Sequence, residues 1–461
     1  MRHTFVQCAA CLAGLALVAC SSQPPPAAAI VSEATQGAEA PATLPQVGEP
    51  SASVHARTQL REVLAWVNGA HIDEASYRAR FASEFVAQVP YAKFAGLVGS
   101  LRSPEPWQSA RLEESVTLVD HWQRGDEKLR VTLMPHSKDP SVIGGLMFTA
   151  DVEEPTAPKP PPATSGAAIQ RLQELGKLSL LVAATSSGKC EPMVQADAEV
   201  SQPVGSTFKL WVLAAVVNRV RAGQLRWTDQ VTIQDSLDSL PSGVTQDERD
   251  GSTRTVRELA ERMIAISDNT ATDHLIARVG RNTVEKVMAE NGHAHPELNR
   301  PFLSTREMMI LKFGADEALP KEYLAANEAG RRKLLETRVR AAPLPELDVV
   351  KRRLAAGPTL IREIEWLGSP FDLCRVLVVL TKDEAASKIL ALNPGVPAPA
   401  GRWSYLGFKG GSETGVLAMA WEHEAASGER YVTAATLSNS EAAIPEAEAV
   451  RLMAAIRDLT R

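Results

Sequence analysis

The segment EEPTAPKPPPATSG, Glu153 to Gly166, constrains this chain more than any other, because five prolines in fourteen residues cannot enter a helix or sheet interior. A chain broken in this way has to build a core on each side of the break. The sequence therefore predicts two domains, 55–153 and 167–461, joined by a proline-rich hinge at 154–166. Ahead of the hinge, His55 to Val67 and Ser76 to Leu101 carry apolar residues at helical spacing: Leu60, Leu64 and Val67, then Phe85, Val89, Phe94 and Leu97. From Arg111 the pattern changes to alternation. RLEESVTLV, KLRVTLMP and IGGLMFTADV read as three strands, turning at Arg124–Gly125–Asp126 and Lys138–Asp139–Pro140. Helices followed by a meander make a small α+β domain. It carries no catalytic signature, and its His121 and His136 read as packing or surface histidines.

Beyond the hinge, LSLLVAAT (Leu178 to Thr185) is a strand, SSGK is a turn, and CEPMVQA follows. A long helix is expected from Ser206, and helices dominate the middle. Two late strands, GVLAMAWEHE from Gly415 and RYVTAATLSN from Arg430, precede a final helix from Val450 to Thr460. Strands at both ends of a helical middle predict one sheet completed by the C-terminus, with a helical lobe inserted.

The first twenty residues read as a targeting segment. Arg2 and His3 give a basic start, and the apolar run Phe5 to Ala19 is too short to span a bilayer comfortably. Its end, LVAC, resembles a bacterial lipobox. That resemblance implies lipid on Cys20, and Ser21 after it implies sorting to the outer membrane. Residues 21–54, rich in Pro, Ala, Ser and Gln, cannot bury a core and read as a disordered tether with a reach of about 30 Å. The folded part is thus expected in the cell envelope, lipid-anchored and facing the periplasm. A net charge of −6 without a basic block argues against nucleic acid as a partner. With Cys8 and Cys11 in the targeting segment and Cys20 lipidated, Cys190 and Cys374 remain, either paired or as two buried thiols. No Cys/His cluster has zinc spacing, and neither metal nor cofactor is expected.

Chemistry begins at GSTFKL, Gly205 to Leu210. Ser206 opens the predicted helix, and Lys209 lies on the same face one turn later. A serine hydroxyl needs a neighbouring base, and a lysine whose pKa is lowered can supply one. The helix N-terminus adds N–H groups for a developing oxyanion. Alone, the pattern equally fits a helix cap and a surface lysine. It has company, however: SDN at Ser267–Asp268–Asn269, 61 residues after Ser206, and FKGGSETG at Phe408 to Gly415, leading into a predicted strand.

In this order, the three motifs resemble those of class A β-lactamases and penicillin-binding serine hydrolases, over roughly 167–461. The resemblance implies a β-lactamase/transpeptidase-like fold with an antiparallel sheet and a helical lobe, so the chain as a whole is expected to be α+β. It also implies Ser206 as the acylated nucleophile, Lys209 as its base or base partner, Ser267 as proton shuttle and Lys409 as positive charge near the substrate. Asn269, Gly410, Gly411 and Ser412 would contact substrate, with the N–H groups of Ser206 and Ser412 forming the oxyanion hole. The charge of Lys409 near Lys209 gives a reason for a lowered lysine pKa. LPSG (Leu240 to Gly243), MIAISDNTATDHLI, RPFLSTRE and the N-terminal α+β domain narrow the likeness to a two-domain group. Its best-known member belongs to the clavulanic acid biosynthetic cluster and has a steroid-isomerase-like N-terminal domain. The expected partners are a β-lactam, an ester or a peptidoglycan-like substrate, with the chain a monomer. Hydrolysis of β-lactams or esters leads; a D-alanyl carboxypeptidase and a lipoprotein that binds without turnover are the alternatives.

Two departures bear on substrate and turnover. The third motif is KGG, so Gly410 offers no hydroxyl to a substrate carboxylate, and Glu413 beside it would repel one unless protonated or turned away. An ester, or a ligand without that carboxylate, fits as well as a penicillin. HPELN, His295 to Asn299, stands where class A enzymes read Glu-Pro-Glu-Leu-Asn and keep the glutamate that activates the hydrolytic water. His295 or Glu297 is therefore the candidate deacylation base, although His295 comes only 28 residues after Ser267.

Overall fold

The computed structural model describes residues 52–459 except 115–117, 126, 136–138, 140, 151–161, 397 and 400. The predicted targeting segment, the lipidation site Cys20, nearly all of the tether, most of the hinge and His136 lie outside the described residues. The chain divides into two compact units between Ala157 and Pro158, within the proline-rich stretch. Among the described residues no helix is long and apolar enough to cross a membrane.

The first unit begins with four helices, α1 (Ala52–Val67), α2 (Glu74–Arg80), α3 (Ser83–Gln88) and α4 (Tyr91–Ser100). Residues 52–54, read as tether, belong to α1. The single helical stretch expected from Ser76 to Leu101 is three short helices instead. Pro90 explains one break: it lacks an N–H and disfavours helical geometry at Val89, which is extended. Four antiparallel strands follow, β1 (Gln108–Glu114), β2 (Leu118–Arg124), β3 (Glu127–Pro135) and β4 (Ile143–Ala150), paired in that order. RLEESVTLV, read as one strand, therefore spans the end of one strand and the start of the next. Its apolar alternation carries across the connection, so periodicity alone could not detect it. Trp66, Tyr77, Phe81, Phe94 and Trp122 form the core of this unit. His121 is buried on β2, where Arg111 donates to its Nε2 at 3.1 Å.

The second unit opens with α5 (Ser165–Leu175), which takes up the last residues of the predicted hinge. Strands β5 (Lys177–Ala184), β6 (Glu191–Ala196) and the short β7 (Gln202–Pro203) lead to a 3-10 turn, Gly205–Phe208, and then to α6 (Lys209–Arg221). A short hairpin, β8 (Gln230–Thr232) and β9 (Thr253–Thr255), precedes α7 (Val256–Ala265), α8 (Asn269–Val279) and α9 (Arg281–Glu290). Four more helices follow: α10 (Thr305–Phe313), α11 (Leu319–Ala325), α12 (Glu328–Leu334) and α13 (Leu347–Ala356). The chain then returns through β10 (Leu367–Gly368) to α14 (Pro370–Leu380) and α15 (Glu384–Leu390). It ends with β11 (Tyr405–Glu413), β12 (Val416–Glu424), β13 (Arg430–Ser438) and α16 (Glu446–Leu459).

The main sheet runs β11-β12-β13-β5-β6, antiparallel throughout, with the helical segments inserted between its first two strands and its last three. The C-terminus contributes three strands rather than the two expected. FKGGSETG leads into β12 as expected, but most of it is itself the end of β11, hidden from sequence reading by glycines that carry little strand propensity. Side chains alternate across the sheet. Leu417, Met419 and Trp421 face the layer of α5 and α16, whereas Ala420, Val432 and Ala434 face the layer containing α6 and α14. Cys190 and Cys374 are joined in a disulfide with a Cα–Cα distance of 6.3 Å. This resolves the open choice in favour of pairing, and such a cross-link contributes about 2–4 kcal/mol of stability.

Candidate active site

Ser206 sits on the 3-10 turn between β7 and α6, one turn earlier than the α-helix it was expected to open. Two close backbone approaches fix the turn. Gly205 has φ +47°, and a Cβ placed there would lie 3.1 Å from the Ser412 nitrogen. A Cβ on Gly411 would lie 2.3 Å from the Ser206 nitrogen. The end of β11 is thus pressed against the Ser206 peptide, which brings the N–H groups of Ser206 and Ser412 to one small region.

Lys209 is fully buried and lies under this region. Its Nζ is 3.0 Å from Ser206 Oγ and 3.0 Å from Ser267 Oγ, and it donates to the Ser267 carbonyl and to Asn269 Oδ1, each at 2.7 Å. The last two groups can only accept. A neutral amine has two N–H bonds for them and keeps its lone pair for a hydroxyl proton. Burial first, then the charge of Lys409, holds this amine well below the usual lysine range. The sequence had pointed to the Lys409 charge; desolvation is the larger cause.

Ser267 is held in the left-handed region at φ +58°, a conformation rare for serine and common at functional sites. Its neighbours enforce it. Ser242 Oγ donates to the Ser267 carbonyl at 2.8 Å, and the buried Asp268 caps α8 through the Ala271 N–H while accepting from Val244 and Thr245. Lys409 Nζ donates to Ser267 Oγ at 3.1 Å and to the Gly410 carbonyl at 2.6 Å. Burial pulls the Lys409 amine down to about 7. Ser206 and Lys209, three residues apart, therefore form one hydrogen-bonded chain with the distant Ser267 and Lys409.

A cavity of about 470 Å³ opens above it, with Ser206, Ser267, Asn269, Gly410, Gly411 and Ser412 in its lining. Asn269 is less available than the sequence suggested. Its side chain is occupied below the surface, with Oδ1 accepting from Lys209 and Nδ2 donating to the Leu240 carbonyl at 2.6 Å. It positions Lys209 as much as it faces a ligand. LPSG acquires a role here too, since Leu240 holds Asn269 while Pro241 and Ser242 line the cavity.

HPELN is not where the expected base has to be. Pro296–Asn299 forms a 3-10 turn whose inner side docks on β10: Asn299 Nδ2 donates to the Leu367 carbonyl and its Oδ1 accepts from the Leu367 N–H, both at 2.9 Å. His293 lies buried against the same carbonyl. Burial holds it below the usual histidine range, and its Nδ1 accepts from the His295 N–H. His295 and Glu297 point outward, 3.2 Å apart, with 55% and 62% of their side chains exposed. Neither lines the cavity, and a base has to reach its water. His295→Ala and Glu297→Gln are therefore expected to leave the decay of any Ser206 adduct within about twofold of wild type, measured by intact mass against time.

The residues missed in the sequence are Lys312, Glu365 and Glu446. Glu365 and Glu446 line the cavity, and Lys312 on α10 bonds Glu365 and Glu413. Trp366, beside Glu365, stacks on Phe208 with ring centroids 3.6 Å apart, closing the cavity next to the Ser206 turn. No spacing rule links positions so distant. Among the described residues no group of three or more His, Cys, Asp or Glu side chains could hold a metal ion.

Residues 167–342 match the family described as "Beta-lactamase enzyme family". No curated protein matches the chain. Similar solved structures include a β-lactamase from Sphaerobacter thermophilus DSM 20745, 21% identical, covering 64% of this chain and 94% of that one, with a TM-score of 0.44. PBP-A is 18% identical, covering 65% of this chain and 97% of its own, with a TM-score of 0.42. A β-lactamase from Burkholderia phymatum is 19% identical, covering 64% and 99%, with a TM-score of 0.44.

Proposed function

We propose that this chain, whose residues 167–342 match the β-lactamase enzyme family, is a serine hydrolase that forms an acyl-enzyme on Ser206. The observation that carries the reading is the buried Lys209 amine within 3.0 Å of both serine hydroxyls. In acylation, the Ser206 proton passes to Lys209 as Oγ attacks the substrate carbonyl. The N–H groups of Ser206 and Ser412 receive the oxyanion. When the intermediate collapses, the bond to the leaving nitrogen or oxygen breaks, and that atom takes a proton from Ser267 Oγ. Lys209 returns the proton to Ser267. One acyl group is then on Ser206, and one proton has moved from Ser206 to the leaving group. Water later supplies the elements that release the acid and restore the serine.

A second reading has a specific observation behind it. Glu365, the carboxylate nearest the β10 side of the cavity, accepts from Lys312 and from the Trp366 N–H, so both of its oxygens are engaged. With Glu365 engaged in this way, acylation outpaces release, and the protein holds its acyl group for long periods as a slow hydrolase or a ligand-holding lipoprotein. A β-lactam, an ester or a peptidoglycan-like D-alanyl peptide is the substrate class. The likeness to the clavulanic acid group, the steroid-isomerase-like N-terminal fold and a monomer anchored by lipid in the outer membrane complete the proposal from the sequence motifs.

Intact-mass spectrometry over time, with a panel of β-lactams and activated esters, tests it. An adduct that forms and then disappears, and is absent from Ser206→Ala, is the result expected of a hydrolase; a permanent one supports the ligand-holding reading. If nothing labels Ser206, the acyl-enzyme reading is wrong.

A further inference from the structure

Next to the nucleophile's cluster, one side of the cavity is acidic. Glu413 follows Ser412 at the end of β11, Glu365 precedes Trp366 before β10, and Glu446 stands at the exposed rim where α16 begins, interacting with the Ser412 hydroxyl. Lys312, fully buried, is clamped between the first two. Its Nζ donates to Glu365 Oε2 at 3.1 Å and to Glu413 Oε1 at 2.5 Å. One ammonium shared by two carboxylates has no positive charge to spare for a ligand. Burial would lower Lys312, but Glu365 and Glu413 hold it above the usual lysine range. Burial and then Glu365 push the Glu413 carboxyl up to about 8, against the pull of Lys312.

The remaining cation near the scissile bond is committed as well. Lys409 already donates to Ser267 and to the Gly410 carbonyl, and Gly410 has no hydroxyl to offer. Among the described residues lining the cavity there is neither arginine nor lysine. Much of the remaining wall is apolar: Met308, Met309, Leu354, Leu417, Met419 and Val450. A negatively charged group would thus lose its water, meet carboxylates and gain no free counter-charge.

We propose that Glu365, Glu413 and Glu446, with Lys312 clamped between the first two, select acyl donors that carry no negative charge beside the reacting carbonyl. The preferred substrates are uncharged or cationic esters whose apolar part lies against the methionine and leucine wall. This selectivity rests on the acyl-enzyme reading of Ser206.

Three 4-nitrophenyl esters of similar size, the 5,5-dimethylhexanoate (neutral), the 4-sulfobutyrate (anionic) and the 4-(trimethylammonio)butyrate (cationic), test it on the full chain. The neutral ester is expected to exceed the anionic one in acylation kcat/KM by about tenfold or more, and the cationic ester at least to equal the neutral one. Glu446→Gln is expected to raise the anionic-to-neutral ratio about threefold, and Glu413→Gln to do so above about pH 8, where that carboxyl is charged. Should Glu413→Gln fail to fold, because it disturbs the buried Lys312, Glu446→Gln at the rim carries the test. Raising the pH from about 6 to about 9 should lower the same ratio, as Lys409 loses its charge and Glu413 gains one. An anionic ester that reacts as fast as the neutral one, or a ratio that neither variant moves, overturns the selectivity and leaves the acyl-enzyme standing. If Ser206 takes up none of the three esters, the selectivity for uncharged esters falls, and the acyl-enzyme falls with it if the β-lactam panel also leaves Ser206 unlabelled.

Discussion

Lys209→Met is expected to slow acylation of Ser206 by about 10³-fold, within the range ascribed to a positioned general base. Methionine keeps the length of the stem and removes only the amine, so the packing around this fully buried position is retained. The pH dependence separates the chemical role from a structural one. In the wild type, acylation rises with pH as Lys209 loses its proton, and that limb falls well below pH 10.5 because burial and Lys409 lower its pKa. Lys209→Met should lose this limb. Stability carries the same signature. A lysine with a folded pKa below its unfolded value binds fewer protons when folded, so its penalty is full below the folded pKa and is relieved as pH rises toward the unfolded value. Thermal melts across pH should show a larger rise in the wild type than in Lys209→Met, where only Lys409, lowered by its own burial, still contributes. A variant that unfolds at every pH, instead of remaining folded and inactive, would contradict the assignment.

Gly411→Ala is the second large effect, expected to reduce acylation by about 10²–10³-fold, the loss typical when an oxyanion donor is displaced. The added Cβ would lie 2.3 Å from the Ser206 nitrogen, 2.6 Å from the Val204 oxygen and 2.7 Å from the Gly205 carbonyl carbon. All three are backbone atoms and cannot rotate away, so β11 and the nucleophile's turn have to separate. Overpacking of this kind also costs about 1–3 kcal/mol of stability. Gly410→Ala is the informative comparison. Its Cβ would meet only the Phe408 ring, at 2.7 Å, and a side chain can shift. Acylation rates and melting temperatures of the two variants, measured side by side, should differ in that order. Equal losses would mean that glycine serves strand flexibility rather than the approach to Ser206.

The elements most legible in the sequence are those whose signal is local. Ser206 and Lys209 lie three residues apart, so any helical turn brings them together. Thr185 to Lys189 turns the chain between β5 and β6 through residues suited to turns. Elsewhere local signals competed. Apolar alternation ran on through RLEESVTLV and hid a connection, whereas the glycines of FKGG hid a strand. HPELN misled for a different reason. Its resemblance to a catalytic loop was textual, but Asn299 and His293 face β10, and this turns His295 and Glu297 to solvent.

By itself the sequence determined the two-part organisation, the pairing of Ser206 with Lys209, and the order in which the three motifs enter the site. Each of these is written in residues close along the chain, or in prolines that exclude regular structure wherever they stand. Only the tertiary structure decided that Cys190 meets Cys374, that Asn269 serves Lys209, and that Lys312, Glu365 and Glu413 share one wall. Those contacts join positions far apart, and their chemistry arises from burial: two carboxylates and an ammonium become a selective surface only where the fold has removed the water between them.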